Sequence, residues 1–122
     1  IKLHGIVDDP EVQINQAHVM VHSAWHEPFG LIFIEAMACG IPVVSFNTGG
    51  PAELIKNGKN GFLVQKDDLN GFTNKVKQLY ENRDELQVLG KKGIENAAKF
   101  GLNEYAKKVE TLYEGRLAIV RK

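Results

Sequence analysis

Two glutamates, Glu27 and Glu35, stand eight residues apart in this chain, and the residues around them are of the types that hold hydroxyls and phosphates. Glu27 runs into Pro28-Phe29-Gly30, and Gly30 opens a helix-like stretch. A helix start presents backbone N–H groups with no partner inside the helix and about half a positive charge. A diphosphate suits that place, and the missing side chain of Gly30 lets such a group approach the backbone closely. Glu35 lies about one and a half turns further along, too deep to cap the helix. It is a poor neighbour for a phosphate but well suited to accept hydrogen bonds from vicinal hydroxyls, such as those of a ribose. Glu27 could serve a sugar hydroxyl in the same way. The competing reading makes both glutamates solvated helix-end charges. Gly30, Gly49 and Gly50, falling on one rim, favour the binding site.

The elements that must position these residues follow from the pattern. Ile1 to Gly5 reads as a strand. Asp9 is a candidate cap, with Pro10 at the first helical position of a helix running to about Ala17. Val19-Met20-Val21 is apolar without alternation, as parallel strands often are, and ends in His22-Ser23. The loop Ala24 to Pro28 leads to a helix over Gly30–Cys39 that Gly40 terminates. A strand over Ile41–Phe46, a turn at Asn47–Pro51, a helix over Ala52–Lys56, a turn at Asn57–Gly61 and a strand over Phe62–Val64 complete the first half.

From Asp67 onward the pattern is helical. Leu69, Phe72, Val76, Leu79 and Tyr80 form one apolar face behind Asp67-Asp68 as caps. Asn82-Arg83-Asp84-Glu85 resembles a capping box opening a helix with Leu86, Leu89, Ile94 and Ala97 on its apolar face. Asn103 is read as the cap of a third helix carrying Tyr105, Val109, Leu112 and Tyr113. Strands alternating with helices imply a parallel sheet flanked by helices. Ligands bind at the carboxyl ends of the strands in such sheets, here His22 to Glu27 and Phe46 to Pro51.

The composition is that of one globular domain or less: 122 residues, 43% apolar, 25% charged. Lysine plus arginine and aspartate plus glutamate balance at 15 each, which argues against a generic nucleic-acid binder with its basic stripe. The single cysteine, Cys39, cannot form an internal disulfide, so a reducing, cytoplasmic compartment is expected. No apolar run approaches the roughly 20 residues that span a bilayer, and no signal peptide is legible. His22 and His26 stand in an H-x3-H spacing that would suggest zinc on a helix. At a strand-to-loop junction it does not align the rings, so no metal site is expected; the more interesting option is that His22 or His26 touches a sugar or phosphate of the ligand. Trp25 could stack on a sugar or base, or pack against another domain. The charges from Lys66 to Lys108 read as solvated helix faces. There is no G-x-G-x-x-G before a helix, no G-x4-G-K-[ST] and no G-x-S-x-G, so dinucleotide, P-loop and serine-hydrolase readings lack support.

Taken jointly, Glu27 with Glu35, then Ala36-Met37-Ala38-Cys39-Gly40-Ile41-Pro42-Val43-Val44, then Gly49-Gly50-Pro51-Ala52-Glu53 resemble the donor-binding core of the family 4 retaining glycosyltransferases, also called glycosyltransferase group 1. Gly5-Ile6-Val7-Asp8-Asp9-Pro10 is similar to that family's preceding strand and turn, and the likeness covers roughly Leu3 to Leu79. It implies an α/β fold: a Rossmann-like parallel sheet flanked by helices, part of the C-terminal domain of a glycosyltransferase B fold. Residues 1–66 would be a partial nucleotide-sugar-binding core and 67–122 the C-terminal helices of the same domain, with a helical tail.

By the same resemblance Glu35 binds the ribose hydroxyls and Glu27 contacts the donor sugar at the catalytic centre. The backbone of Phe29, Gly30 and Leu31 holds the sugar and distal phosphate, and that of Ile6 and Val7 meets the base edge. Gly49 and Gly50 shape the pocket, and His26 lies beside the donor. Transfer is expected to retain anomeric configuration and to need no metal or other cofactor beyond the nucleotide-diphosphate sugar itself. The acceptor is a glycan or a lipid-linked molecule bound through an N-terminal domain. Nucleic acid is not an expected partner, and peripheral membrane association of the full-length protein is compatible with the reading.

This chain departs from the family where an Arg and a Lys normally grip the diphosphate: no arginine precedes Arg83, and Lys2 is isolated. The chain is therefore expected to begin inside a domain, truncated at its N-terminal side, and to be inactive and weakly stable or self-associating alone. One donor missing at a developing anion costs about 3 kcal/mol. The rival reading is a non-catalytic nucleotide-sugar or protein-binding domain of the same fold. An epimerase of that fold is a third.

Overall fold

The computed structural model describes residues 1–120. Three parallel strands, β1 (Met20–His22), β2 (Val43–Phe46) and β3 (Gly61–Val64), lie in the order β1-β2-β3. Val21 faces Val44 and Val44 faces Phe62 in register. Each crossover carries a helix, as parallel strands require: α2 (Leu31–Ala38) between β1 and β2, α3 (Gly49–Leu54) between β2 and β3. A short α1 (Pro10–Ile14) precedes the sheet. Helices α4 (Leu69–Glu81) and α5 (Arg83–Ala97), a 3-10 turn (Ala98–Phe100) and α6 (Leu102–Val120) follow it.

All four residues of β2 are buried, because helices cover both faces of the central strand. Its side chains divide by alternation. Val43 joins Phe33, Ala36, Met37, Leu54, Ile55 and Ala97 on the α2 face. Val44 and Phe46 join Phe62, Val64, Phe72, Leu79 and Leu89 on the α4 face. Each large side chain so buried contributes roughly 1.5–3 kcal/mol relative to exposure. Helix α5 serves both layers, giving Leu86 and Leu89 to one and Ala97 to the other. A polar clamp ties it to the end of α3. The Leu54 carbonyl accepts from Asn60 Nδ2 at 3.2 Å and from Asn96 Nδ2 at 3.1 Å, while Asn60 Oδ1 accepts from the Lys56 N–H at 2.7 Å. Asn60 is only 2% exposed, and these bonds meet both ends of its amide.

Several boundaries differ from the sequence expectations. Ile1 to Gly5 is not a strand: Ile1, Leu3 and Ile6 are exposed, and no described strand pairs with the segment. Without a ladder partner or a core to cover, an extended segment gains nothing over hydration. Helix α1 stops at Ile14 rather than near Ala17, and Asp9 caps it without a side-chain bond. Helix α3 begins at Gly49 and ends at Leu54, one turn earlier than Ala52–Lys56. Asp68 rather than Asp67 caps α4, accepting from the Gly71 N–H at 2.8 Å.

The box at α5 is half formed. Asn82 Oδ1 accepts from the Glu85 N–H at 3.2 Å, but the Glu85 carboxylate accepts from Gln78 Nε2 at 2.8 and 2.9 Å instead of reaching back. The Tyr105 N–H donates to the Gly101 carbonyl at 3.0 Å, so α6 starts before Asn103, which does not cap it. Leu69, Tyr80 and Ile94 point outward from the faces assigned to them, and Tyr105, Leu112 and Tyr113 of α6 are exposed. Among the described residues no helix is long and apolar enough to cross a membrane.

Candidate functional site

Parallel strands send all their carboxyl ends to one rim, and three loops meet there: residues 23–30 after β1, 47–48 after β2 and 65–68 after β3. The first loop must reverse direction and start α2 within a few residues. Gly30 makes this possible. It caps α2 in the left-handed region at φ +86°, where a side chain is strained. A Cβ there would also strike the Phe33 ring and lie 3.1 Å from Glu27 Cγ. No side chain caps α2; the Phe33 N–H donates to the Gly30 carbonyl at 3.0 Å, and the Leu31 and Ile32 N–H groups before it have no partner within the helix.

Glu27 is held against this helix start from three directions. The Phe29 N–H reaches its Oε1 at 3.3 Å. His22 Nε2 lies 3.5 Å from its Oε2. The Gly50 N–H donates to its backbone carbonyl at 2.9 Å. That last bond explains the second glycine pair. A Cβ on Gly49 would lie 2.6 Å from the Glu27 carbonyl oxygen, and one on Gly50 would overlap the carbonyl group and Cα of Phe29. Gly49 and Gly50 are thus the first two residues of α3, where only bare backbone fits beneath the Glu27–Gly30 loop.

Glu27, Phe29, Gly30, Gly49 and Gly50 therefore form one cluster of touching residues, with Leu31 as the first residue of α2. Glu35 is exposed on α2, four residues after Leu31 and so on the same side of the helix. It has no ion-pair partner among the described residues. His26 is exposed on the loop. Ile6 and Val7 lie in the irregular segment before α1, and no hydrogen bond ties them to the cluster.

Two features of the rim escape a reading of the sequence. Lys66, in the loop after β3, lies over the Trp25 ring at 5.2 Å, linking the loops that follow β1 and β3. Its only sequence signal was a position just after the last strand. Phe29 meets Phe100 edge-on at 6.5 Å, and beside them a cavity of about 570 Å³ opens between α2 and α6, lined by Leu31, Ile34, Leu102 and Tyr105. His22 and His26 do not join a metal cluster: among the described residues no group of three His, Cys, Asp or Glu side chains gathers.

A parallel sheet with an open, glycine-started helix at its rim places this chain among the α/β proteins that bind ligands at the carboxyl ends of their strands. The family is narrower. Residues 1–96 match the model of the glycosyl transferases group 1, and the chain belongs to that family. It is 30% identical over 107 residues to the alpha-1,3/1,6-mannosyltransferase alg-2 of Neurospora crassa, covering 85% of this chain and 23% of that protein. Among solved structures, a sucrose-phosphate synthase from Thermosynechococcus elongatus superposes with a TM-score of 0.80 at 34% identity, over 88% of this chain and 27% of that one. The Anabaena HepE structure in complex with UDP-glucose superposes with a TM-score of 0.74 at 28% identity, over 84% of this chain and 29% of that one. The sheet flanked by helices is accordingly that of a glycosyltransferase B domain, with α6 as its helical tail. The chain spans about a quarter of the length of these three relatives.

Proposed function

We propose that these residues form the donor-binding part of a retaining glycosyltransferase that moves a sugar from a nucleotide-diphosphate donor to a glycan or lipid-linked acceptor. The observation that carries the reading is the Glu27 carboxylate held beside the uncapped start of α2. That arrangement offers an acceptor for a sugar hydroxyl and N–H donors for a phosphate within one cluster. Departure of the nucleoside diphosphate develops negative charge, and N–H groups aimed at it stabilise the transition state more than the ground state. Glu35, exposed further along α2, takes the ribose hydroxyls, and the Ile6–Val7 backbone meets the base. His26 lines the sugar side.

In this reading transfer needs no metal, because backbone N–H groups and cationic side chains take the charge. The acceptor sits on a second domain of the full-length protein, so the chain alone turns over no donor. The protein works in the cytoplasm or at the cytoplasmic face of a membrane. The UDP-glucose held by the Anabaena relative supports a nucleotide-sugar as the ligand class.

Calorimetric titration of the full-length protein with UDP- and GDP-sugars, with and without a chelator, tests this. The expected result is saturable binding that the chelator leaves unchanged, together with release of nucleoside diphosphate when acceptor is present. Binding without turnover would favour the non-catalytic reading, and no binding of any nucleotide-sugar would leave only its protein-binding form. Glu35→Ala is expected to raise donor KM roughly tenfold to a hundredfold, the worth of hydrogen bonds to a charged group. Donor affinity unchanged in that variant would remove the ribose assignment.

A further inference from the structure

We propose that His22 is a positioning residue for Glu27, with the ring proton held on Nε2 and directed at the Glu27 carboxylate. The inference rests on Glu27 being the sugar-contacting group, and it assigns how that carboxylate is oriented. His22 closes β1, and its side chain is 18% exposed. The ring stands edge-on to the fully buried Phe33, with centroids 4.8 Å apart and planes at 84°, which limits its rotation. Nδ1 is buried and has no hydrogen-bond partner. A proton there would be a buried donor with nothing to receive it, an arrangement that proteins avoid. A proton on Nε2 faces Glu27 Oε2 at 3.5 Å instead. The tautomer thus follows from which nitrogen has an acceptor within reach.

The Glu27 carboxylate then has one donor for each oxygen: the Phe29 N–H for Oε1 and the His22 ring for Oε2. Both separations, at 3.3 and 3.5 Å, are longer than fully formed bonds. Such pairs tighten when a ligand completes the site. With both oxygens engaged, the plane of the carboxylate is fixed and its remaining lone pairs are left for sugar hydroxyls. His22 touches neither sugar nor phosphate in this role. It acts by holding Glu27.

Variants that separate the ring's donor from its packing decide the matter. In the full-length protein, His22→Gln places an amide N–H near the position of Nε2, whereas His22→Phe keeps an aromatic edge against Phe33 and offers no donor. The expected result is kcat close to wild type for His22→Gln and roughly tenfold or more lower for His22→Phe, the scale of coupling between contacting polar groups. In a Glu27→Ala background the same His22 substitutions should change kcat little. Equal losses in His22→Gln and His22→Phe, or an undiminished His22 effect without Glu27, would overturn the proposal.

Nitrogen-15 spectra of histidine-labelled protein give a readout independent of turnover. His22 should show Nε2 protonated and Nδ1 bare in the ligand-free state, and the opposite tautomer would overturn the assignment even if the protein binds its donor normally. If the wild-type protein binds no nucleotide-sugar while His22 shows the expected tautomer, the functional reading of Glu27 fails and the ring–carboxylate geometry stands.

Discussion

Replacing Gly50 with alanine is expected to damage both the fold and the site, more than any other single methyl group added at the rim. The new Cβ would overlap the Phe29 carbonyl group and Cα, which are main-chain atoms and cannot swing aside as a side chain can. Either α3 withdraws, breaking the 2.9 Å bond from the Gly50 N–H to the Glu27 carbonyl, or the loop over residues 27–30 lifts away. Overpacking of this kind costs about 1–3 kcal/mol. The displaced backbone is also the one proposed to hold the donor, so donor affinity should fall by roughly tenfold or more for a shift near 1 Å. Gly58→Ala is the contrasting control. Unlike Gly50, Gly58 is left-handed, at φ +73°, but nothing lies within 4 Å of its would-be Cβ. It should lose about 1–2 kcal/mol from backbone strain and leave donor affinity alone. Thermal unfolding and calorimetry on both variants separate strain from collision. Wild-type melting and affinity in Gly50→Ala would mean that the two loops do not need this close approach.

Glu27→Ala is expected to lower kcat/KM by roughly tenfold to a hundredfold for each sugar hydroxyl it leaves unbound, since a hydrogen bond to a charged group is worth about 1.5–3 kcal/mol. The diagnostic measurement is kcat at saturating donor. If Glu27 grips the sugar more tightly as the glycosidic bond opens, kcat falls along with kcat/KM. If it binds ground state and transition state equally, only KM rises. A wild-type kcat would remove Glu27 from the transition state and leave it a binding residue. Glu27→Gln refines the comparison. It retains an acceptor oxygen but loses the charge, and it can place an NH2 group against the Phe29 N–H, where two donors would meet.

Much of the rim was legible because its demands are local. Gly30 before an apolar helix and Gly40 just after it mark a start and a stop that depend on the chain's own backbone. Val43 and Val44 announce a strand buried on both sides because each points into a different layer. What could not be read depends on neighbours distant in sequence. Gly49 and Gly50 look like a turn. They begin a helix because the Glu27–Phe29 main chain lies against them and leaves no room for side chains. Leu69, Tyr80 and Ile94 keep helical spacing yet face outward, since periodicity gives a face but not what covers it. The Ile1–Gly5 segment has strand composition without a strand to pair with. His22 was visible as half of a metal-like spacing and as a candidate contact to the ligand, not as a partner of Glu27. Its nearness to Glu27 and its edge-on packing on Phe33 arise from where β1 ends against α2.

Trp25 is the only tryptophan among these 122 residues, and it sits on the loop that also carries Glu27. With Lys66 over its ring at 5.2 Å, the indole is partly exposed and next to a positive charge that tunes its excited state. Tryptophan emission from these 122 residues is therefore a local optical signal from the rim, not an average over several indoles. A ligand that moves either loop changes the indole's surroundings without any added label. Occupancy of the site can then be followed by fluorescence, at concentrations too low for calorimetry.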